Sequence, residues 1–492
     1  MAHARPGEIY SFRILGGGYG AAQVIAATPD GSDPWVQLLP LNVDGALPPG
    51  LSEVAVSAAE SAIADEDDCP WDCVWVPAFV PWWAQHIGEA PVRPRANSQG
   101  YGGWEGIAIT ALLARMKRAG HRVPVRAHDP TPVIVDLGGR PSEMHRDSHR
   151  LNTRDLLPDI GMPVKWQGLS ALSCITELAH EDADRGLLGA ARQLPFLRYL
   201  SWRSPQADVI DLRETQLLGV NLLAVDRPLT VLLPATTFAL TLDGRYDLMT
   251  LNVPDLSERF SLTLSGGTSG GLPNGVDALH RLNVQSRRID LAPLVALRKL
   301  ADLTCRGALA GIDHIDVLRG LKNLRSFTGY DIYGFSAEDF PGLADCPHLS
   351  AVAIHGLRAS DAKILRRRLA DVDRLELTKA RSDRWLADNI DNPFRDWDAD
   401  SPAFGKAAMK LWKSALQEAR KLDGTPSRDQ ANAIVLALVD GLNRLDGRHG
   451  GMIDTLRREE ACDAILDLVR RHLANALTPE ETQELVDSRR DF

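Results

Sequence analysis

One apolar signature, a residue followed at +3 and +5 by two more, recurs along residues 175–377 at nearly constant spacing, and it limits the fold more than any single residue does. The copies are Leu279/Leu282/Val284, Leu300/Leu303/Cys305, Leu324/Phe327, Leu349/Val352/Ile354 and Val372/Leu375/Leu377. Their central residues, 282, 303, 327, 352 and 375, stand 21, 24, 25 and 23 apart. Earlier copies at Ile175/Leu178 and Leu197/Leu200/Trp202 have centres 22 apart, so the same unit opens the array. A strand of about five residues with one apolar face cannot bury that face alone, whereas stacked copies share one continuous core. The spacing therefore predicts a right-handed solenoid over about residues 170–380, with a parallel sheet through Leu282, Leu303, Phe327, Val352 and Leu375.

Between the centres lie second apolar groups, such as Leu291, Leu294 and Leu297, or Leu365 and Leu369, which fit the returning helix or loop of each coil. From Leu200 to Leu264 the apolar alternation instead recurs about every ten to twelve residues, as in Ile210-Asp-Leu212, Leu222, Leu232, Leu240-Thr-Leu242, Leu251-Asn-Val253 and Leu262-Thr-Leu264. Half the period with strand-type residues predicts coils whose forward and return segments are both extended. The stretch resembles the leucine-rich repeat family, with one departure. That family's Asn five residues after the central Leu, which ladders buried backbone groups, is replaced by Arg287, Ala308, Ile332, Leu357 and Ala380. The array reads as a degenerate version of that repeat.

At 492 residues the chain is too long for one core. The expected class is α+β multidomain: a small β-barrel-like domain at 1–95, an α/β bridging segment at 96–165, the repeat solenoid at 166–380 and a helical bundle at 381–492. Lys plus Arg number 55 against 65 Asp plus Glu, a net charge of −10, which argues against a general nucleic-acid binder because phosphate contacts need a basic surface. The longest apolar run, Val74 to Trp83, is interrupted by Pro77 and Pro81 and falls short of a membrane span. The first residues, MAHARPGEIYSF, lack a signal-peptide core, and six sparse cysteines fit reduced thiols; both point to the cytoplasm.

Residues 6–90 read as short strands with tight turns, among them the run Gly16-Gly17-Gly18-Tyr19-Gly20, where glycine permits the positive φ angles of a hairpin. Pro6-Gly7-Glu8-Ile9-Tyr10, Tyr19-Gly20 and Val24, followed by a further strand and a Trp-rich segment, resemble the Imm26 group of bacterial immunity proteins, which accompany polymorphic toxins. His145-Arg146-Asp147 with Asn152 five positions later matches the catalytic-loop spacing of protein kinases. No lysine precedes Lys117, however, so the glycine loop lacks its phosphate-pairing lysine and the kinase reading is set aside. Cys69 and Cys73 lack a second pair of soft ligands for zinc. His145 and His149, four apart, would share a helix face beside Asp147, but the stretch is charged and reads as solvated. Trp71, Trp75, Phe79, Trp82 and Trp83 form an aromatic cluster, read as the core of the small domain rather than a pocket. Ile107 to Arg118 reads as an amphipathic helix ending at Gly120.

After Thr378 the repeat stops, and helical spacing appears at about 403–422, 428–445 and 452–477, predicting a three-helix bundle that caps the solenoid. Asn392-Pro393-Phe394-Arg395-Asp396-Trp397 and the run Ile453 to Ala461 resemble a segment of bacterial leucine-rich repeat proteins labelled as gliding-motility proteins. Carboxylates at a helix start, such as Asp454, Glu459 and Glu460, read as dipole complements.

No nucleophile, base and orienter stand in recognisable spacing, and no cofactor or metal fingerprint is found, so an enzyme is not expected. A solenoid presents a rigid surface to protein partners. The outward positions are Tyr199, Arg203, Arg281, Asn283, Gln285, Asp302, Thr304, Arg306, Thr328, Tyr330, His355, Arg374 and Glu376, a mixed polar set suited to a protein rather than a nucleic acid or membrane. Arg281, Arg306 and Arg374 would form a basic row. The expected function is a non-enzymatic protein–protein interaction module, with the Imm26 resemblance implying an immunity protein that binds a toxin. The alternative is a regulatory or sensory protein with a small ligand in the N-terminal aromatic domain.

Overall fold

A computed structural model describes residues 3–14, 18–28, 34–45, 49–51, 73–92, 102–104 and 106–111. It also describes 130–492, except 155, 160–161, 173, 255–257, 269, 399–400 and 423–425. Cys69, Trp71, Gly16, Gly17 and the part of the expected helix beyond Ala111 lie outside the described residues. The chain divides into two compact units, residues 1–380 and 381–492.

Five antiparallel strands open the first unit: β1 (Glu8–Arg13), β2 (Tyr19–Ala27), β3 (Trp35–Gly45), β4 (Val74–Pro77) and β5 (Ala84–Glu89). Their order is β4-β3-β2-β1-β5. The two end strands share no ladder among the described residues, so these strands make an open sheet where a barrel was expected. The glycine-rich hairpin joins β1 to β2, with Gly18 at φ 87° and its carbonyl accepting from the Ile14 N–H at 3.0 Å. Tyr10, Phe12, Val24, Leu38 and Trp83 pack with Trp104 and with Ile107 and Ala111 of the helical segment 106–111 in one core. A short hairpin, β6 (Pro132–Val135) with β7 (Ser142–His145), follows.

Eleven strands then line up along one parallel sheet. They are β8 (Arg150–Asn152), β9 (Glu177–Glu181), β10 (Tyr199–Arg203), β12 (Gly219–Val225), β14 (Ala239–Gly244), β16 (Ser261–Ser265), β17 (Arg281–Gln285), β19 (Asp302–Asp313), β20 (Ser326–Tyr333), β21 (Ala351–His355) and β22 (Arg374–Thr378). The register runs Leu282↔Leu303↔Phe327↔Val352↔Leu375, the expected line of central residues. The first four are fully buried and Leu375, on the last strand, is half-buried. A further strand, β18 (Arg288–Asp290), pairs with the far end of β19. Parallel strands with helices inside the same coils make the chain α/β, where segregated α+β was expected, and are consistent with a solenoid-like architecture.

The return segments follow the sequence pattern. Under the middle coils, β11 (Val209–Asp211), β13 (Leu229–Leu232) and β15 (Met249–Asn252) form a second, three-stranded parallel sheet, as the halved period predicts. Elsewhere the return is α1 (Leu187–Gln193), 3-10 turns at Ala292–Ala296 and Ile315–Gly320, or α2 (Ala359–Arg368). Leu291, Leu294, Leu297, Leu365 and Leu369 are all fully buried there. Burial of one such leucine stabilises by roughly 1.5–3 kcal/mol, so each coil contributes mainly through these positions.

In place of an Asn ladder, the corners use a backbone device. Asp182, Ser204, Ala224, Gly244, Gly266, Asp331, Gly356 and Lys379 all have φ between 44° and 103°. Each stands in the sixth place of its coil, directly after five laddered strand positions. The left-handed residue turns the chain off the sheet, and its identity varies because the backbone angle is the shared requirement, although at Gly244 the Val225 carbonyl also leaves no room for a Cβ.

The second unit holds α3 (Asp383–Asn389), α4 (Pro402–Lys421), α5 (Arg428–Arg448), α6 (Thr455–Leu468) and α7 (Pro479–Arg489). Side-chain caps start all five: Ser382 accepts from the Trp385 N–H, Ser401 from that of Phe404, Asp454 from that of Arg457, and Ser427 with Gln430 and Thr478 with Glu481 form reciprocal capping boxes. Phe394, Trp397, Phe404 and Trp412 build its aromatic core, and Trp397 Nε1 donates to Glu460 at 2.7 Å. That hydrogen bond joins the segments 392–397 and 453–461, and it makes Glu460 a packing partner.

Candidate interaction face

Residues flanking each buried centre of the parallel sheet point away from the core and fall into three columns. The first column, at the start of the strands, runs Tyr199, Gly219, Ala239, Ser261, Arg281, Asp302, Ser326, Ala351 and Arg374. The second runs Asn221, Thr241, Thr263, Asn283, Thr304, Thr328, Ala353 and Glu376. The third holds Arg203, Gln285, Arg306, Tyr330, His355 and Thr378. All thirteen sequence-predicted positions therefore lie on one face, on three adjacent rows.

The rows differ in what they have left to offer. Along the first, the segment after β4 packs its aromatic side chains against the array. Trp82 Nε1 donates to Asp302 Oδ2 at 2.9 Å, and its ring stacks on His280 at 6.2 Å and lies 5.1 Å from the Arg325 guanidinium. The Arg259 guanidinium sits 3.9 Å over Trp83, and that of Arg374 sits 4.2 Å over Phe79. The Trp-rich cluster is thus partly core, as expected for Trp83, and partly a docking segment that sequence reasoning missed. Nothing in the sequence signals it, because its partners lie in distant coils.

The expected basic row is broken for the same reason. Arg281 pairs with Asp302 at 3.4 Å, and Arg374 Nε donates to Glu376 at 2.6 Å while covering Phe79. Tyr199 remains 38 % exposed with its ring over Gly219, where a Cβ would come within 2.8 Å of the ring. Burial, with Glu177 beside it, pushes the Tyr199 phenol above its ordinary range.

In the second row Asn283 Nδ2 donates to Ser261 Oγ at 3.0 Å and Thr263 Oγ1 at 3.3 Å, and Thr304 and Thr328 continue it as half-buried hydroxyls. The third row is the open one. Arg203, Gln285, Arg306 and Tyr330 are exposed, His355 is half-buried, and the Arg306 guanidinium stacks 4.3 Å over the Tyr330 ring.

Elsewhere, His145 ends β7 and His149 follows a turn, with His149 Nδ1 3.1 Å from the Cys174 carbonyl, so the expected helix face does not form. Cys73, Cys174, Cys305 and Cys346 are buried and form no disulfide among the described residues, and burial pushes the Cys305 thiol up to about 12. Glu8, His86 and Glu89 bring three metal-competent atoms within 4.8 Å of one another on the N-terminal sheet. No helix among the described residues is long and apolar enough to cross a membrane. Compared with known proteins, the chain matches no family model and no curated protein.

Proposed function

We propose that this protein is a non-enzymatic, cytoplasmic protein-binding module that holds a protein partner on the outward face of a degenerate leucine-rich repeat solenoid. Within that class we favour an immunity protein that neutralises a toxin by binding it, a choice that rests on the N-terminal likeness to the Imm26 group. The observation that carries the reading is the third row: Arg203, Gln285, Arg306 and Tyr330 stand exposed on a rigid hydrogen-bonded sheet. Arg and Tyr are over-represented at binding hot spots, and the Arg306–Tyr330 stack presents both in one place. The first row is already engaged by Phe79, Trp82 and Trp83, so the partner would sit toward the strand C-terminal ends.

Capture from native lysate tests this. The double variant Arg306→Glu/Tyr330→Ala is compared with wild type and with Val209→Ser, an exposed change on the return sheet. A protein retained by wild type and Val209→Ser should be lost from the double variant, since one hot spot at about 2 kcal/mol is already some thirtyfold in affinity. An unchanged set of captured proteins removes the face as the binding site. The sensory reading keeps one supporting observation: the aromatic segment touches the array, so an occupant of the N-terminal domain would be felt there.

A further inference from the structure

The N-terminal sheet carries a cluster that the interaction reading does not use. β1 and β5 pair antiparallel with Glu8 opposite Glu89 and Tyr10 opposite His86. Between those pairs the register shifts, and Ile87 is the extra residue on β5. His86 and Glu89 are three apart, a spacing that points to opposite faces on a regular strand. The bulge returns them to one face, where Glu8 and Tyr10 already stand two apart on β1.

Two carboxylates directly opposite each other on neighbouring strands repel and destabilise the pair. Among the described residues neither Glu8 nor Glu89 has an ion pair with Lys or Arg, so nothing in the side-chain set offsets that repulsion. Glu8 is instead held in place by neutral donors. The Tyr10 hydroxyl and the Arg5 N–H each donate to its Oε2 at 2.7 Å. Tyr10 is itself fixed, buried with its ring edge-on to Trp104 at 5.3 Å. A buried group that orients a carboxylate from behind is the arrangement that supports metal ligands.

We propose that Glu8, His86 and Glu89 bind a divalent transition-metal ion, zinc being the probe of choice. One imidazole nitrogen and two carboxylate oxygens suit zinc or manganese better than a soft-metal or an all-oxygen calcium site. Ligand atoms within 4.8 Å must close to about 3.4 Å for tetrahedral bonds of about 2.1 Å, and His86 and Glu89 are exposed enough to rotate that far. The cation replaces a repulsive cross-strand pair with a shared ligand and pins the edge strand β5 to β1. Residual positions on the metal face solvent.

Calorimetric titration of the full chain with zinc chloride tests the site, in wild type, His86→Ala, Glu89→Gln and Tyr10→Phe, with circular dichroism confirming that each is folded. Wild type should bind zinc at one site that His86→Ala and Glu89→Gln each weaken at least tenfold. Tyr10→Phe, which touches no metal, should weaken it about tenfold or more through Glu8 alone. Equal affinity and stoichiometry in wild type, His86→Ala and Glu89→Gln, or no binding to wild type below millimolar zinc, overturns the proposal. Because Glu89→Gln is isosteric and exposed, it reads the site even if another variant does not fold.

Discussion

Replacing Leu303 and its neighbour Thr304 separates the inside of the array from its outside by one residue. Leu303 is 1 % exposed, and its register partners Leu282 and Phe327 are equally buried. Leu303→Ala leaves a cavity between two filled coils, which costs about 2–5 kcal/mol. Leu303→Asp adds the desolvation of an acid with no partner in that ladder, bringing the loss to at least about 4 kcal/mol. Against a typical domain stability of about 5–15 kcal/mol, that change opens the coil or unfolds the array. Thr304 faces outward between Asn283 and Thr328 and is half-exposed, so Thr304→Asp should stay within about 1 kcal/mol. Because the chain has two compact units, a single melting midpoint mixes them, and amide hydrogen exchange on β17, β19 and β20 is the proper readout. Leu303→Ala should speed exchange there by about thirtyfold to several thousandfold, and Thr304→Asp by less than about tenfold. Comparable acceleration in Leu303→Ala and Thr304→Asp would refute the assignment of faces.

Two further predictions concern the array's interior. His180 is buried, with Nε2 2.8 Å from the Ala183 carbonyl and Nδ1 2.9 Å from Thr153 Oγ1. A carbonyl only accepts, so Nε2 carries the proton and Nδ1 accepts from the hydroxyl; burial foremost lowers the imidazole below its ordinary value of 6.5. Between the folded and unfolded values the unfolded chain binds more protons. Its stabilisation is therefore complete above about pH 6.5 and lost as pH falls through the folded value. Urea midpoints taken from pH 7.5 down to 5 should fall more steeply in wild type than in His180→Gln, and parallel curves would remove His180 from the account. At the corners, Gly244 has φ 103° and a Cβ there would stand 2.2 Å from the Val225 carbonyl, so Gly244→Ala should cost more than about 1 kcal/mol. Gly189 lies in α1 with nothing within 4 Å of an added Cβ, and Gly189→Ala should stabilise by about 0.5–1 kcal/mol. Changes of the same sign in amide exchange of the surrounding coils in both variants would contradict the corner geometry.

What the sequence reveals is what periodicity encodes. The stacked strands, their buried line and the second sheet of the middle coils are legible because burial repeats with the coil. The corners are not, since Asp182, Ser204, Ala224 and Lys379 share a backbone angle and no chemistry. The first strand of the sheet, β8, begins before the expected solenoid start because only Leu151 on it is apolar. Helix α7 lies inside the expected bundle region but beyond its three expected helical segments, although Thr478, Pro479 and Glu481 spell a capping box that could have announced it. The outward rows follow from alternation, whereas the cover over the first row does not, because no local pattern links Trp82 to Asp302. The Glu8, His86 and Glu89 cluster stays hidden because it depends on a bulge, and a bulge reverses the alternation rule that a strand reading uses.

The hydrogen bond from Trp82 to Asp302 joins residues 220 apart, and that distance is also a waiting time. A ribosome adding about 5–20 residues per second needs roughly 10–45 s to deliver Asp302 after Trp82 has been made. Through that interval the N-terminal strands can pair and bury Trp83 among themselves, but Phe79 and Trp82 lack the Arg374 and Asp302 side chains they lie against. The nascent chain therefore displays an aromatic patch for as long as its own docking surface is still being translated.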